Sequence, residues 1–220
     1  MSCIISIGRK EKMKKIFIGV ALLAGFVAIT GFANNQQRYQ TGDIIFQTTK
    51  GKIALVTSTA TMSRFTHVGM IIMKKNKPYV IEASGPVRIN SFRRFINRGI
   101  GKKFVVLRYK NGLNKKQKRK LIREARRHIG KKYDSKFKWD DKKLYCSELV
   151  FKVYKKALGI ELNKPEKIGD YYSSWNPIIS RYAKKKYGKR IPLNEKIITP
   201  ERLYDSKPLN TVYSNYFKLN

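Results

Sequence analysis

Apolar positions along this chain alternate in short bursts, then recur at every third and fourth residue, then lose any regular interval. Asp43-Ile44-Ile45-Phe46-Gln47, placed after Thr41-Gly42, predicts a strand over 43–47. Thr66-His67-Val68-Gly69-Met70-Ile71-Ile72 reads as a buried strand, and the apolar, β-branched stretches 68–73 and 79–83 flank Lys74-Lys75-Asn76-Lys77-Pro78, a hairpin signal. A two-residue Lys75-Asn76 turn, in which Asn tolerates positive φ, sets Met73 against Pro78 and Gly69 against Glu82. His67 and Glu82 then become diagonal neighbours on one sheet face, a relation that a register slip of one residue destroys. A further strand is expected over 104–109, followed by an Asn111-Gly112 turn.

The helical periods are separate. Residues 53–62 read as a short helix, although threonines are poor helix formers. Another short helix is expected over 91–97, capped by Ser91 and ended by Gly99. Residues 114–128 form a basic helix with Leu121, Ile122, Ala125 and Ile129 on one stripe and Gly130 closing it. From Ser147, the set Leu149, Val150, Val153, Tyr154, Ala157 and Leu158 recurs at three and four until Gly159, so Cys146 stands at the mouth of a core-packed helix. After Leu162 the chain turns irregular and rich in Pro, Tyr, Asn and Lys, and this tail is expected to wrap the domain and line its site.

The first residues read as a delivery signal. Lys10, Lys12, Lys14 and Lys15 precede an uncharged run from Ile16 to Phe32 that closes with Gly31-Phe32-Ala33, which predicts cleavage after Ala33 and export to the periplasm or cell envelope. An uncleaved anchor is the alternative, disfavoured by Gly19, Gly25, Thr30 and Gly31 within a run barely long enough to span. No cysteine follows the run, so a lipid-modified N-terminus is not supported. Met13 is a second candidate start, which would leave Cys3 unmade. Residues 34–220 suit a single domain, and one remaining cysteine excludes an intrachain disulfide.

Charge changes the picture next. The net charge is +35; residues 1–33 hold five cations and one acid, net +4, which leaves +31 on the remainder. Such a field attracts anionic partners, here an anionic envelope surface, while proteome-wide lysine preference is an equally weighted alternative. Export and the absence of a recognisable binding motif argue against nucleic acid. Nothing in the sequence sets the oligomeric state.

Candidate chemistry centres on Cys146. A thiol at a helix N-terminus feels the partial positive charge of unpaired N–H groups, which favours thiolate. His67 is the candidate base and Glu82 its candidate orienter, since an acid inside Tyr79-Val80-Ile81-Glu82-Ala83 needs a basic partner. His128 is a weaker candidate base, placed late in the basic helix. Taken singly, each residue has an ordinary structural reading: an inert buried thiol, a strand histidine, an acid paired with any of many cations. Two histidines and one useful cysteine offer no metal-ligand spacing, and no cofactor is expected.

As an ordered set, Gly42-Asp43-Ile44-Ile45-Phe46, Thr66-His67-Val68-Gly69-Met70, Val80-Ile81-Glu82-Ala83, and Tyr133-Asp134 through Phe137 to Tyr145-Cys146-Ser147-Glu148-Leu149-Val150 resemble the motifs of the YiiX/YebB-like hydrolases. These are circularly permuted members of the NlpC-type papain-like superfamily, and His before Cys is the permuted order. The resemblance implies an α+β fold in which an antiparallel sheet packs against the helix carrying the nucleophilic Cys. It implies Cys146 as nucleophile, His67 as base, Glu82 as third member and Tyr133 as an oxyanion or substrate-binding group, with a core aromatic as the other reading of Tyr133. The implied activity is a thiol hydrolase cleaving an amide bond in a cell-wall peptide or N-acyl amino compound through a thioester. Lipid acyl hydrolase or acyltransferase chemistry on the same fold is an alternative, as is a non-catalytic basic envelope-binding module. The extreme basicity departs from what the resemblance explains.

Overall fold

A computed structural model describes residues 38–216. The expected signal segment over 1–33, with the cleavage and start-site readings, lies outside the described residues.

In chain order the elements are β1 (Ile44–Gln47), α1 (Lys52–Thr61), β2 (His67–Lys74), β3 (Lys77–Ala83), β4 (Val87–Ser91), α2 (Phe92–Asn97), β5 (Phe104–Tyr109), α3 (Lys115–Arg126), α4 (Cys146–Leu158), β6 (Glu166–Lys167), α5 (Ile168–Tyr171), α6 (Pro177–Tyr187), β7 (Lys196–Ile197), α7 (Pro200–Tyr204) and β8 (Leu209–Ser214). Six strands form one antiparallel sheet in the order β4-β3-β2-β1-β5-β8. The α+β architecture, an antiparallel sheet packed against the helix that begins at Cys146, is the one expected.

The sheet has two apolar faces. Alternation sends Ile44, Phe46, Val68, Met70 and Ile81 to the side covered by α4, where Leu149, Val150, Val153 and Tyr154 complete the main core. Ile45, Ile71, Val80 and Val106 point the other way and are closed by Phe95 of α2 and Phe104. The Tyr154 hydroxyl donates to the Gly42 carbonyl, tying α4 to the entry of β1.

The β2–β3 hairpin has the anticipated register, with Met73 opposite Pro78 and Met70 opposite Ile81. Lys75 and Asn76 both adopt positive φ, 48° and 59°, as a turn matched to strand twist requires. By continuation Gly69 lies across from Glu82. A Cβ on Gly69 would meet Val80 Cγ1 at 2.5 Å and the Ile81 carbonyl oxygen at 2.9 Å, so glycine is what allows β3 to lie this close.

Several expectations need correction. α3 ends at Arg126, so Ile129 falls beyond the helix and is 48% exposed instead of completing the core stripe. Val87–Ser91 forms an edge strand ahead of the Ser91-capped helix. The tail is less irregular than its composition implied: Asn176 caps α6 by accepting from the Ile178 and Ile179 N–H groups, Pro177 occupies the first turn, and Gly188 ends it. β8 completes the far edge of the sheet against β5.

Gly69→Ala should lower the unfolding free energy by about 1–3 kcal/mol through overpacking against β3. The denaturant midpoint checks this, and an unchanged midpoint contradicts the packing.

Candidate active site

Cys146 is the first residue of α4, buried at 5% exposure. Glu148 accepts from the N–H of the preceding Tyr145 at 3.4 Å, and Lys152 Nζ lies 2.6 Å from Glu148 Oε1, which clamps the helix start. The tail fastens it from outside: Ser147 Oγ donates to the Ile198 carbonyl at 2.7 Å, and the Ile198 N–H donates to the Tyr145 hydroxyl at 3.1 Å.

His67 opens β2, directly across from Gln47 of β1, with its ring stacked on Phe95. Its Nε2 lies 2.5 Å from Glu82 Oε2, and the Cys146 thiol is near enough to act on its charge. The three residues singled out from the sequence therefore come together. Glu82 is fully buried; its Oε1 accepts from Asn90 Nδ2 at 2.8 Å, and its Oε2 also accepts from Arg98 Nη2. Asn90 and Arg98 escaped the sequence reading. The only signal pointing to them was the need of a buried carboxylate for more than one donor.

The electrostatics favour an ion pair. Burial alone would push the His67 pKa down, but hydrogen bonds and charge attraction from Cys146 and Glu82 hold it up at about 9. Burial would raise Glu82; His67 and then Arg98 hold it down to about 2. Burial likewise opposes thiolate at Cys146, yet His67, with the backbone N–H groups of Val68 and Ser147, shifts it below an ordinary thiol. The arrangement chemically suits a thiolate–imidazolium nucleophile.

Tyr133 lies in the segment before α4, bridged to Leu144, and shares a cavity wall with Cys146. Burial, then the neighbouring Cys146, push its hydroxyl well above the ordinary value, so it stays a proton donor at neutral pH. Asp134 turns away to accept from the Lys136 and Lys138 N–H groups at 2.8 and 2.7 Å. His128 is buried at the end of α3, 3.3 Å from Glu124, and does not line the Cys146 cavity.

The walls of that cavity come from α1, the segment before α4 and the first residues of α4, α6 and the tail, including Val56, Ala60, Phe137, Ile179 and Ala183, with several tyrosines. No charged side chain is among those that line it.

Residues 38–213 match the family described as "Permuted papain-like amidase enzyme, YaeF/YiiX, C92 family". The chain is 38% identical over 191 residues to the uncharacterized protein YiiX of Escherichia coli (strain K12), covering 87% of this chain and 93% of that protein. It also resembles the crystal structure of "metalloprotein yiiX from Escherichia coli O157:H7", with a TM-score of 0.78 and 40% identity, covering 81% of this chain and 98% of that one. A resident metal does not suit the donors here. Both Glu82 oxygens are committed to His67, Asn90 and Arg98, and among the described residues no three His, Cys, Asp or Glu side chains gather in a group able to hold an ion.

The pairings set a pH profile. Glu82, lowered from 4.5 to about 2, contributes stability present above pH 4.5 and lost as pH falls toward 2. His67, raised from 6.5 to about 9, contributes stability present below pH 6.5 and lost as pH rises through 9. Denaturant midpoints measured against pH should lose part of the acid limb in Glu82→Gln. In parallel, iodoacetamide should alkylate Cys146 with an inflection below that of an ordinary thiol, and His67→Ala should raise it. An ordinary inflection insensitive to His67 contradicts the ion pair.

Proposed function

The chain belongs to the permuted papain-like amidase family, YaeF/YiiX, C92, and from that premise we propose that it is an exported thiol hydrolase that cleaves the amide bond of N-acyl amino compounds. The observation that carries this reading is the uncharged, tyrosine-rich cavity beside Cys146. An apolar acyl chain gains by leaving water there at roughly 25 cal/mol per Å² buried. A cell-wall peptide would bring carboxylates and ammonium groups into walls that offer them no counter-charge, at a desolvation cost.

In the reaction, the Cys146 thiolate attacks the carbonyl carbon while the His67 imidazolium holds the proton. The oxyanion that forms accepts from the backbone N–H of Cys146, unpaired at the first helical position, and from the Tyr133 hydroxyl. Collapse of this intermediate expels the amine, which takes the proton from His67, and leaves an acyl thioester on Cys146. Neutral His67 then draws a proton from water, the resulting hydroxide attacks the thioester, and the carboxylic acid departs with the thiolate and imidazolium restored. Glu82 holds the imidazole in orientation and supports its charge; Asn90 and Arg98 act through Glu82 as positioning residues. An ester-linked lipid offers the same acyl chain to the same cavity, and the amidase character of the family favours the amide.

Intact-mass analysis with N-acyl amino probes of graded chain length tests this reading. Wild type should carry a mass increment equal to the acyl group, and Cys146→Ala none. Glu82→Gln should lower kcat on the order of 10²-fold with a smaller change in KM. Ala183→Phe, which fills the cavity, should move preference to shorter chains. Turnover indifferent to chain length, or acylation only by wall peptides, contradicts the substrate class. Envelope-fraction protein should begin near Asn34; retention of residues 16–33 would make it membrane-anchored instead.

A further inference from the structure

Two helices separate the Cys146 cavity from solvent on one side. α1 turns Val56, Thr57, Ala60 and Thr61 inward, and α6 turns Ile179, Tyr182 and Ala183 inward. The two helices pack on each other. Their remaining surface is unusual in two respects.

First, it is apolar where exposure makes that costly. Among the described residues, seven large apolar side chains are exposed, and four of them, Leu55, Met62, Trp175 and Ile178, lie on α1, on α6 or immediately beside them. Met62 and Trp175 are each 95% exposed. On a helical wheel Leu55 falls on the side of α1 opposite its cavity-lining residues, so it faces away from the site, and Met62, which ends α1 in the left-handed conformation, is open to solvent. Residues 53–63 include no charged side chain, in a chain where 29% of residues are charged.

Second, cations flank this apolar strip. Arg181, Lys184 and Lys185 are exposed along α6, and Lys189 and Arg190 follow it. A tryptophan with aliphatic neighbours, bordered by lysine and arginine, is the chemistry that seats an amphipathic surface at the boundary of an anionic bilayer. Apolar exposure gathered on two packed helices otherwise marks a docking site of some kind, and the cations on α6 select a negatively charged partner. Among the described residues no helix is long and apolar enough to cross a membrane, so contact of this kind would be peripheral.

We propose that the outer faces of α1 and α6 form a docking surface for an anionic lipid bilayer, so that the two helices that wall the Cys146 cavity rest on the membrane. Trp175, Met62, Leu55 and Ile178 enter the interfacial zone, while Arg181, Lys184 and Lys185 meet the headgroups. The consequence for catalysis, that the enzyme is held at a surface carrying acylated substrate, rests on the N-acyl reading above. Docking itself does not.

The test uses the full chain and vesicles of equimolar phosphatidylcholine and phosphatidylglycerol, with pure phosphatidylcholine as the neutral comparison. Wild type should co-sediment with the anionic vesicles, and brominated lipid should quench a part of its tryptophan emission that Trp175→Phe removes. Trp175→Ala with Met62→Ser, and separately Arg181→Glu with Lys185→Glu, should each weaken binding on the order of tenfold or more. Reversing two exposed cations on α3, Lys116→Glu with Lys120→Glu, changes net charge equally but should weaken it several-fold less. None of these residues lines the cavity, so turnover of a soluble short-chain N-acyl probe should stay at the wild-type level in all of them; its absence in wild type would sink the hydrolase reading and leave docking standing. Equal loss in the α3 and α6 reversals, unquenched Trp175, or binding to purified wall polymer in place of vesicles overturns the docking surface.

Discussion

One imidazole joins the two sides of this fold. His67 is held by a buried carboxylate on its own sheet and is coupled electrostatically to a thiol delivered by a helix packed over the opposite face. Each neighbour alone would be costly: Glu82 has no exposure to water, and Cys146 has almost none. Together with the imidazolium they form an alternating series of charges, negative, positive, negative, in which burial strengthens attraction instead of merely penalising charge. The hairpin register, the missing side chain at Gly69, and the two donors on Glu82 all serve to keep that ring in place.

Charge is distributed in a way that bears on function. Among the described residues Lys152 is the one lysine or arginine that is buried, while the cavity beside the thiol has no charged lining. Arg98 is partly exposed, yet its guanidinium reaches the fully buried Glu82 and lies 5.7 Å from the Phe95 ring. By satisfying Glu82 it keeps that carboxylate ionised, and so keeps His67 protonated. On the proposed reading, the basic field outside and the uncharged cavity inside act on different steps, attraction of an anionic surface and accommodation of an acyl group.

Much of this was legible in the residues. Lys75-Asn76 carried the hairpin register, because Asn tolerates the φ that a two-residue turn demands, and that register alone placed His67 and Glu82 on one face. Gly159 and the stripe from Leu149 to Leu158 marked α4 correctly, with Gly159 in the left-handed region at φ 71°. Asn90 and Arg98 were invisible as partners, since the edge strand carrying Asn90 was not anticipated and no local pattern says which carboxylate the end of the 91–97 helix reaches. The cavity was equally hidden. Its walls come from α1, weak in helix propensity, and from α6, whose lysines and tyrosines masked an ordinary Asn-Pro start and Gly stop.

Nuclear magnetic resonance titration of the two imidazoles tests the central claim most directly. His67 should titrate near pH 9, well above His128, and replacing Cys146 with Ser should lower the His67 value as the thiolate partner disappears. A His67 that titrates near its ordinary 6.5, with no response to the loss of Cys146, would contradict the ion pair on which the catalytic reading stands.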